Sequence, residues 1–583
     1  MKLAIQGCSH GELDAIYASL LRTEATQSLA IDALLLCGDF QAIRNHSDLH
    51  ALAVPQKYRQ LGDFHAYYSG QKVAPILTLV IGGNHEASNY MHELYHGGWL
   101  APNIYFLGAA GVVELNGLVI AGISGIYKEH DYRKGRFEKL PYDAGTIRSC
   151  YHTREFDVVR LKAMQSSRPN IVLSHDWPNT IEQWGNTQGL IRKKPFFKDE
   201  IETRTLGSPP LMELLQCLRP SFWFSAHLHV KFAALYNHDQ PATSIAPNTA
   251  ADNANPEAID IDLESDTDEP QPPQEPAAVA VPSASTTNAT AKHDTDGKHG
   301  TTRFLALHKC LPNTPFLQII DHPSPHDSVL ESRKAALQYQ QRVPPTLRYN
   351  KRWLAITRAF HPHFSLEYRQ GHLPDPFDPE FLCKIEEEER WIDQHLSSLN
   401  GGTKNSGKRK QDEPEGSRLA TPESTHEKEE DGDGEWLDVA RVQQFVRTAP
   451  APFEQGGLNQ GLPSWYTNPQ TEAFCRLVGI ENQINPRPKF HPPPTAQYSV
   501  PQPPHLRQPP PEHGAGKAQG MPSETTEADP NALAIDMDDL DSESECGEDH
   551  TSAEPSHGHK RDDGILRLSD EDELHARWKE GTG

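Results

Sequence analysis

The chain has 583 residues, a formal net charge of −25, 48 prolines, 40 glycines and only 36% hydrophobic residues, which excludes one packed body that uses the whole chain. Eight cysteines without a Cys-x-x-Cys pair, and no apolar run of about 18 residues, argue against a disulfide scaffold and a membrane span. The opening MKLAIQGC turns polar too soon for a secretory signal. We therefore expect a reduced, soluble protein of the cytosol or nucleus.

The acidity is unevenly distributed. Residues 1–235 carry 23 Lys and Arg against 22 Asp and Glu, so the rest of the chain carries 32 against 58. A near-neutral front half is compatible with an anionic substrate. The acidic remainder has the composition of disordered sequence.

From Met1 to about Tyr236, short apolar runs alternate with helical periods, which indicates a layered α/β domain. Apolar spacing predicts an amphipathic helix over Leu13–Leu21, and Pro209 and Pro210 fit the first turn of a helix over Ser208–Leu218. The predicted strands are Leu3–Ile5, Ala33–Cys37, Ile76–Ile81, Ile104–Leu107, Val112–Leu115, Leu118–Ile123, Ile171–Ser174, Phe222–Ala226 and Phe232–Tyr236.

The rest of the chain alternates structured and low-complexity segments. Residues 237–302 are predicted to be a disordered acidic insert, and Phe304–Ile320 two strands that complete a sheet begun by the front region. Residues 323–400 carry helical signals, including Asp378–Leu399, and form a predicted small C-terminal domain. The last predicted parts are a linker at 401–467 with a candidate helix at Trp436–Val446, a compact block at 468–480, and a disordered acidic tail at 481–583.

Five short segments place metal-binding side chain types directly after predicted strands, where sites form in α/β sheets. A lone histidine beside an apolar run is usually structural, but five such segments in one domain indicate a shared site. They are GCSHGELD (7–14), CGDF (37–40), GGNHE (82–86), LSHDWP (173–178) and SAHLHV (225–230). Carboxylate, imidazole and amide donors suit two divalent ions about 3.5–4 Å apart, the arrangement used for phosphoester hydrolysis.

These blocks resemble those of the calcineurin-like metallophosphoesterases, which implies a β-sandwich flanked by helices, formed here by residues 1–236 with 303–322. By that resemblance, Cys8, His10, Asp39 and His229 surround one metal position. Asp39, Asn84, His175 and His227 surround the other, with Asp39 bridging. His85 is then the catalytic histidine that is not a ligand, contacts the scissile phosphate and protonates the leaving oxygen.

Two positions depart from the superfamily pattern: Cys8 replaces an aspartate, and Ala226 replaces a glycine. A thiolate is softer than a carboxylate and bridges less readily, so it favours Zn²⁺ or Fe²⁺ over Mg²⁺. The alternative for Cys8 is a buried core thiol at a strand end. The number of ions, one or two, stays open, as does the choice among Fe²⁺, Zn²⁺ and Mn²⁺.

Cys8 also points to one family, because GCSHGELD, GISGIYKEHDYRKGRFEKLPYD (122–143), IRSCYHTREFDVVRLK (147–162) and SHDWP resemble the RNA lariat debranching enzymes. FLALHKCLP, RYNKRWLAITRAF (348–360) and NPQTEAFC resemble that family's C-terminal domain. The resemblance implies hydrolysis of the 2′–5′ phosphodiester at the branch point of intron lariats. It also implies branched RNA as partner, no membrane or DNA, and a nuclear location with shuttling to the cytoplasm as an option.

The resemblance makes residues 126–142 a lariat-recognition loop, and its composition agrees, because cations interleave with aromatic rings that suit phosphates and unstacked bases. Nearby acids leave a solvated charged loop as the alternative. The predicted substrate-binding residues are Tyr127, Lys128, His130, Asp131, Tyr132, Arg133, Lys134, Arg136, Phe137 and Tyr142.

Other functions remain as alternatives. The same fold serves DNA-repair nucleases, protein phosphatases and cyclic-nucleotide phosphodiesterases, but none of these is expected to combine Cys8 with the GIYKEHDYRKGRF block. A non-catalytic scaffold would have lost its ligands, whereas here every proposed position keeps a competent donor. The acidic tail is either a solubilising segment or a site for protein partners, and its composition does not decide.

Overall fold

A computed structural model describes residues 1–239, 300–322, 345–403, 434–458 and 461–488. These residues fall within one compact unit that spans residues 1–497. Most of the predicted acidic insert, and the tail beyond residue 488, lie outside the described residues. The predicted start of the disordered tail at residue 481 was wrong, because Ile484 and Asn485 are buried and the Asn485 amide donates to the carbonyl of Glu93. In the part of the chain that is described, no helix combines the length and apolar character needed to cross a membrane.

Thirteen strands are described, and most of them match the predicted apolar runs to within two residues at each end. Two short ones, β4 and β13, were not predicted. The strands are β1 (Lys2–Gln6), β2 (Ala33–Leu36), β3 (Leu77–Val80), β4 (Gly98–Ala101), β5 (Ile104–Phe106), β6 (Ala110–Leu115), β7 (Leu118–Ile123), β8 (Ile171–Ser174), β9 (Phe222–Ser225), β10 (Phe232–Asn237), β11 (Thr301–Ala306), β12 (Leu317–Asp321) and β13 (Leu347–Tyr349).

The strands form two sheets, in the orders β12-β1-β2-β3-β5-β4 and β10-β11-β9-β8-β7-β6-β13. In the first sheet β1, β2 and β3 run parallel, with Leu3 opposite Ala33 and Ala33 opposite Leu77. In the second sheet β7, β8 and β9 run parallel. Parallel neighbours end at the same edge, so each sheet brings its loops together there.

The helices cover the outer faces of these sheets. The described helices are α1 (Leu13–Gln27), α2 (Phe64–Tyr68), α3 (Ser88–Glu93), α4 (Glu129–Tyr132), α5 (Thr146–Ser149), α6 (Glu155–Lys162), α7 (Thr187–Lys193), α8 (Lys198–Thr203), α9 (Pro209–Leu218), α10 (Lys351–Phe360), α11 (Pro379–Thr403), α12 (Val439–Val442) and α13 (Pro469–Val478). The long α1 is amphipathic, burying Leu13, Ile16 and Leu20 on one face.

Three apolar cores fill the space between these layers. The middle core joins Leu35 and Leu79 of the first sheet to Ile120 and Leu173 of the second. The outer cores place α1 and α2 on the first sheet, and α6, α9 and α10 on the second. This arrangement is the predicted helix-flanked β-sandwich, and the fold class is confirmed.

Besides the unpredicted β13, the rear of the chain differs from the sequence-based expectation in its strand pairing and in one helix. The two runs in Phe304–Ile320 enter different sheets: β11 lies between β9 and β10, whereas β12 pairs with β1. The prediction of one helix over Trp436–Val446 was wrong in extent, because the helix there covers only Val439–Val442. A 3₁₀ turn precedes α12, which ends at Val442, because Gln443 adopts an extended backbone and donates its side chain amide to the carbonyl groups of Gly97 and Gln470.

Candidate metal centre and substrate loop

All the predicted metal ligands lie after the carboxyl ends of parallel strands, at one edge of the sandwich. The first sheet supplies the loops after β1, β2 and β3, and the second sheet those after β8 and β9. Chain segments far apart in sequence therefore converge. The residues so positioned are Cys8, His10, Asp39, Asn84, His175, His227 and His229.

Four of these residues have a left-handed backbone, which is rare for any residue other than glycine. The φ angles are 46° at His10, 45° at Asp39, 61° at His227 and 46° at His229. Such a conformation costs about 1–2 kcal/mol per residue and concentrates at functional sites. The turns after β1, β2 and β9 therefore each contain at least one proposed ligand with a strained backbone.

One group of donors is formed by Cys8, His10, Asp39 and His229, whose ligand atoms all lie within 4.8 Å of one another. His10 Nε2 is 3.1 Å from His229 Nε2 and 3.5 Å from Asp39 Oδ2. The Cys8 thiol is buried and accepts a hydrogen bond from the backbone N–H of His227 at 3.2 Å. Cys8 therefore packs in the core, as the alternative interpretation required, and its sulfur also faces the other donors.

The second group lies on the other side of the same carboxylate. His175 Nε2 is 3.3 Å from Asp39 Oδ1 and 3.1 Å from Asn84 Oδ1, while His175 Nδ1 donates to the carbonyl of Cys37 at 2.7 Å. The His227 ring lies 5.0 Å from the His175 ring. Asp39 therefore presents one oxygen to each group, as a carboxylate that bridges two cations would, and the number of bound ions stays a prediction.

Burial and mutual contact set the charges of these groups. Burial opposes ionisation of Asp39, but His175 and His85 hold its pKa well below the usual range. Burial lowers the pKa of His10 to about 4 and also lowers the pKa of His229, so both imidazoles are neutral. Burial, with a contribution from Asp39, raises the pKa of the Cys8 thiol. The thiol must lose its proton to bind a metal, which makes metal affinity pH-dependent.

Glu86 holds the Asp39 loop in place and was not among the predicted site residues, although it ends the GGNHE segment. Its Oε1 accepts the backbone N–H groups of Phe40 at 2.7 Å and Gly83 at 2.9 Å, and its Oε2 accepts that of Gln41 at 2.8 Å. Burial raises the Glu86 pKa to about 7. One buried side chain therefore ties the loop after β2 to the loop after β3.

His85 lies at the open side of the two donor groups. Its backbone N–H donates to Asp39 Oδ1 at 2.9 Å, and its Nδ1 is 3.8 Å from Asp39 Oδ2. The side chain is 21% exposed, in contrast to His175. The proposed ligand His10 is 23% exposed, so exposure does not distinguish His85 from a ligand, and the catalytic role of His85 stays a prediction.

The predicted lariat-recognition loop divides into exposed and buried residues. His130 and Arg133 are exposed, and the rings of Tyr127 and Tyr132 contact each other at 5.6 Å. Lys128 is half-buried. The solvent-accessible part of this loop therefore combines cations with aromatic rings, and its contact with RNA stays a prediction.

Other residues of this loop already have protein partners, which the sequence did not indicate. The buried Asp131 accepts from His152 Nδ1 at 2.5 Å and pairs with Lys134 at 2.7 Å. Arg136 Nη2 donates to Asp157 at 2.9 Å. Asp131 and Arg136 therefore hold the loop in shape, and direct contact of these two groups with RNA would require breaking buried ion pairs.

The last two residues of the predicted loop set are partly covered. The Phe137 ring contacts Tyr368 at 4.9 Å. Tyr142 lines a cavity of about 70 Å³ that also touches Gly83 and Glu86, directly behind the metal ligands. The loop thus packs against both the metal centre and the C-terminal region.

Two sheets that end in a cluster of candidate metal ligands are typical of a metallophosphoesterase, and residues 1–231 match the calcineurin-like phosphoesterase family. Residues 299–483 match the family described as lariat debranching enzyme, C-terminal domain. The chain belongs to the lariat debranching enzyme family, as the sequence resemblance predicted.

Named relatives support this assignment. The chain is 40% identical to the lariat debranching enzyme of Drosophila pseudoobscura over 493 residues, which is 83% of this chain and 78% of the relative. It is 37% identical to the Arabidopsis thaliana enzyme over 84% of this chain and 88% of that one. With lariat debranching enzyme A of Xenopus laevis the identity is 43%, over 64% of this chain and 57% of the relative. The chain thus spans little more than half the length of the frog relative.

Proposed function

We propose that this protein hydrolyses the 2′–5′ phosphodiester at the branch point of excised intron lariats and gives linear RNA for turnover. The observation that carries the proposal is the Asp39 carboxylate, which presents one oxygen to each of two donor groups. It occurs in a chain that matches both the phosphoesterase domain and the debranching-enzyme domain.

The residues of the site have different proposed roles in the reaction. Asp39 is anionic because its pKa is low, and the neutral imidazoles of His10 and His229 offer lone pairs, so the site attracts divalent cations. Bound cations of this kind lower the pKa of water and offset the charge of a phosphate. We assign to His85, whose Nδ1 lies 3.8 Å from Asp39, the roles of contacting the scissile phosphate and giving a proton to the leaving 2′ oxygen.

For the metal, we propose Fe²⁺, Zn²⁺ or Mn²⁺, with one or two ions bound. The support is the Cys8 sulfur in the first donor group, because thiolate ligands favour borderline and soft cations over Mg²⁺. Cys8→Asp should therefore shift the metal preference toward harder ions such as Mg²⁺. An unchanged preference in a metal titration of activity would show that Cys8 is a core thiol only.

The function is tested with metal-reconstituted protein and three substrates. These are a synthetic branched RNA with one 2′–5′ linkage, a linear 3′–5′ RNA of the same composition, and a generic aryl phosphodiester. Cleavage confined to the 2′–5′ bond among the RNAs is the expected result. Cleavage of the aryl ester alone would leave a phosphodiesterase without the proposed substrate, and no cleavage with any of the three metals would favour a non-catalytic scaffold.

We also propose a nuclear location, with shuttling to the cytoplasm as an option, because introns are excised in the nucleus. Imaging of the tagged protein tests this, and exclusion from nuclei would contradict it. The acidic tail is proposed to bind protein partners through its residues after 488, which lie outside the described ranges. Comparing proteins captured by the full chain and by a chain ending at residue 488 tests that role, and identical sets would remove it.

A further inference from the structure

An exposed aromatic pair lies where the recognition loop meets the C-terminal region. Tyr368 is 55% exposed, and its ring lies 4.9 Å from the ring of Phe137. The Lys134 ammonium lies 4.5 Å from the centre of the Tyr368 ring. Lys134 is itself paired with Asp131, so what this surface offers an unstacked base is the part of the Tyr368 ring that stays open to solvent.

The two segments are joined by their backbones. The N–H of Arg136 donates to the carbonyl of Ser365 at 2.8 Å, and the N–H of Gln370 donates to that of Arg133 at 3.4 Å. A Cβ atom at Gly135 would lie 2.3 Å from the carbonyl oxygen of Glu367, so this close approach needs glycine. The position of Tyr368 relative to the loop is therefore fixed before any substrate binds.

The same loop is anchored at the metal centre at its other end. The N–H of Tyr127 donates to Asp176, the neighbour of the proposed ligand His175, at 3.2 Å. The N–H of Gly125 donates to the carbonyl of Gly82, two residues before Asn84, at 2.9 Å. The loop thus forms a continuous path from the proposed ligands to Tyr368.

We propose that Tyr368 of the C-terminal region, supported by Phe137, stacks an unpaired base in one arm of the branched substrate. This inference rests on the proposed debranching function. A branch point sends three RNA arms away from the reacting phosphate, and unpaired bases stack on aromatic rings whatever their sequence. The exposed cations Arg133 and Arg369 flank the pair, although Glu367 is exposed in the same strip.

The test compares Tyr368→Ala and Tyr368→Phe with wild type on three substrates: a branched RNA with long arms, a minimal branched RNA without arms, and an aryl phosphodiester. Loss of one base stack should lower kcat/KM on the long-armed RNA by about 5- to 100-fold, mainly through KM. Tyr368→Phe keeps the ring and should retain the activity. The minimal branched RNA and the aryl ester should be cleaved at wild-type rates by both variants.

Phe453→Ala is the matched control, because Phe453 is also 55% exposed but lies in the turn whose Pro450 carbonyl accepts from Asn45. It should leave all three activities unchanged. Wild-type kcat/KM of Tyr368→Ala on the long-armed RNA would overturn the inference and leave this surface to a protein partner. An equal loss on the aryl ester would also overturn it, since the substitution would then disturb the metal centre. If wild type cleaves the aryl ester but not branched RNA, the proposed function fails, and the inference fails with it.

Discussion

The glycine pair in GGNHE allows a sharp steric test of the metal centre. A Cβ atom at Gly83 would lie 2.2 Å from Asp39 Oδ1, 2.5 Å from the Asp39 backbone nitrogen and 2.7 Å from His175 Cε1. A Cβ atom at Gly82 would find its nearest neighbour, the Met91 methyl group, at 3.4 Å, an ordinary contact. Neither glycine has a left-handed backbone, so alanine at each position differs only in the space available.

We expect Gly83→Ala to displace the two proposed ligands and Gly82→Ala to be tolerated. Restoring an ordinary 3.4 Å contact from 2.2 Å requires Asp39 to move by about 1.2 Å. A misplacement of about 1 Å costs on the order of 100-fold in rate. Overpacking should also lower the free energy of unfolding by about 1–3 kcal/mol. Gly82→Ala should change stability by no more than about 1 kcal/mol, in the favourable direction.

The assay combines metal content by mass spectrometry, kcat/KM with an aryl phosphodiester, and urea denaturation of each variant. Gly371→Ala serves as a second control, because a Cβ atom there would have nothing within 4 Å. Wild-type metal content and activity in Gly83→Ala would refute the geometry of the site. Equal damage from Gly82→Ala would show that the motif needs glycine for a reason other than contact with Asp39 and His175.

Three further substitutions test single roles. His85→Ala should abolish turnover while metal stays bound, and parallel loss of metal on dialysis would make His85 a ligand. Asp157→Asn should lower the free energy of unfolding by about 3–5 kcal/mol in urea denaturation, because Asp157 pairs with two buried arginines, and a near-neutral effect would contradict this. Burial raises the Glu182 pKa from 4.5 to about 7, so this carboxyl favours the folded state below pH 4.5 and loses that contribution as pH rises through 7. Glu182→Gln should therefore exceed wild-type stability near pH 8 by up to about 3 kcal/mol, with the difference shrinking toward pH 4.5; a constant difference would be contrary to this reasoning.

The parts of the structure that depend on local sequence were predictable. Apolar runs located the strands, and polar residues directly after them located the ligand loops, because strand direction fixes where those loops meet. Pairings over long sequence separations were not predictable. The two apolar runs in Phe304–Ile320 are similar in sequence, but β11 and β12 join different sheets. Their partners, β9 and β1, are far away in the sequence, so local patterns do not reveal the pairing.

The recognition loop shows the same limit at the level of single side chains. Arg136 and Lys134 are both cations in an aromatic-rich segment, and composition cannot separate a cation that meets RNA from one that meets a carboxylate. The partner of Arg136 is Asp157, on helix α6, and that of Lys134 is the buried Asp131. Tyr368 was not predicted, because it lies far from the loop in sequence. It is next to the loop only because backbone hydrogen bonds join residues 365–370 to residues 133–136.

The backbone of the metal centre is maintained by bonds that do not involve a metal. The left-handed residues His10 and Asp39 each cost about 1–2 kcal/mol, and the N–H of His10 donates to the Asp39 carbonyl at 2.7 Å. Three N–H groups of the neighbouring turns are fixed by Glu86. A strained conformation persists only where its surroundings determine it, and here those surroundings are the buried ends of two sheets. Hydrogen bonds within the chain therefore help to hold the ligand loops, in addition to whatever a bound metal would contribute.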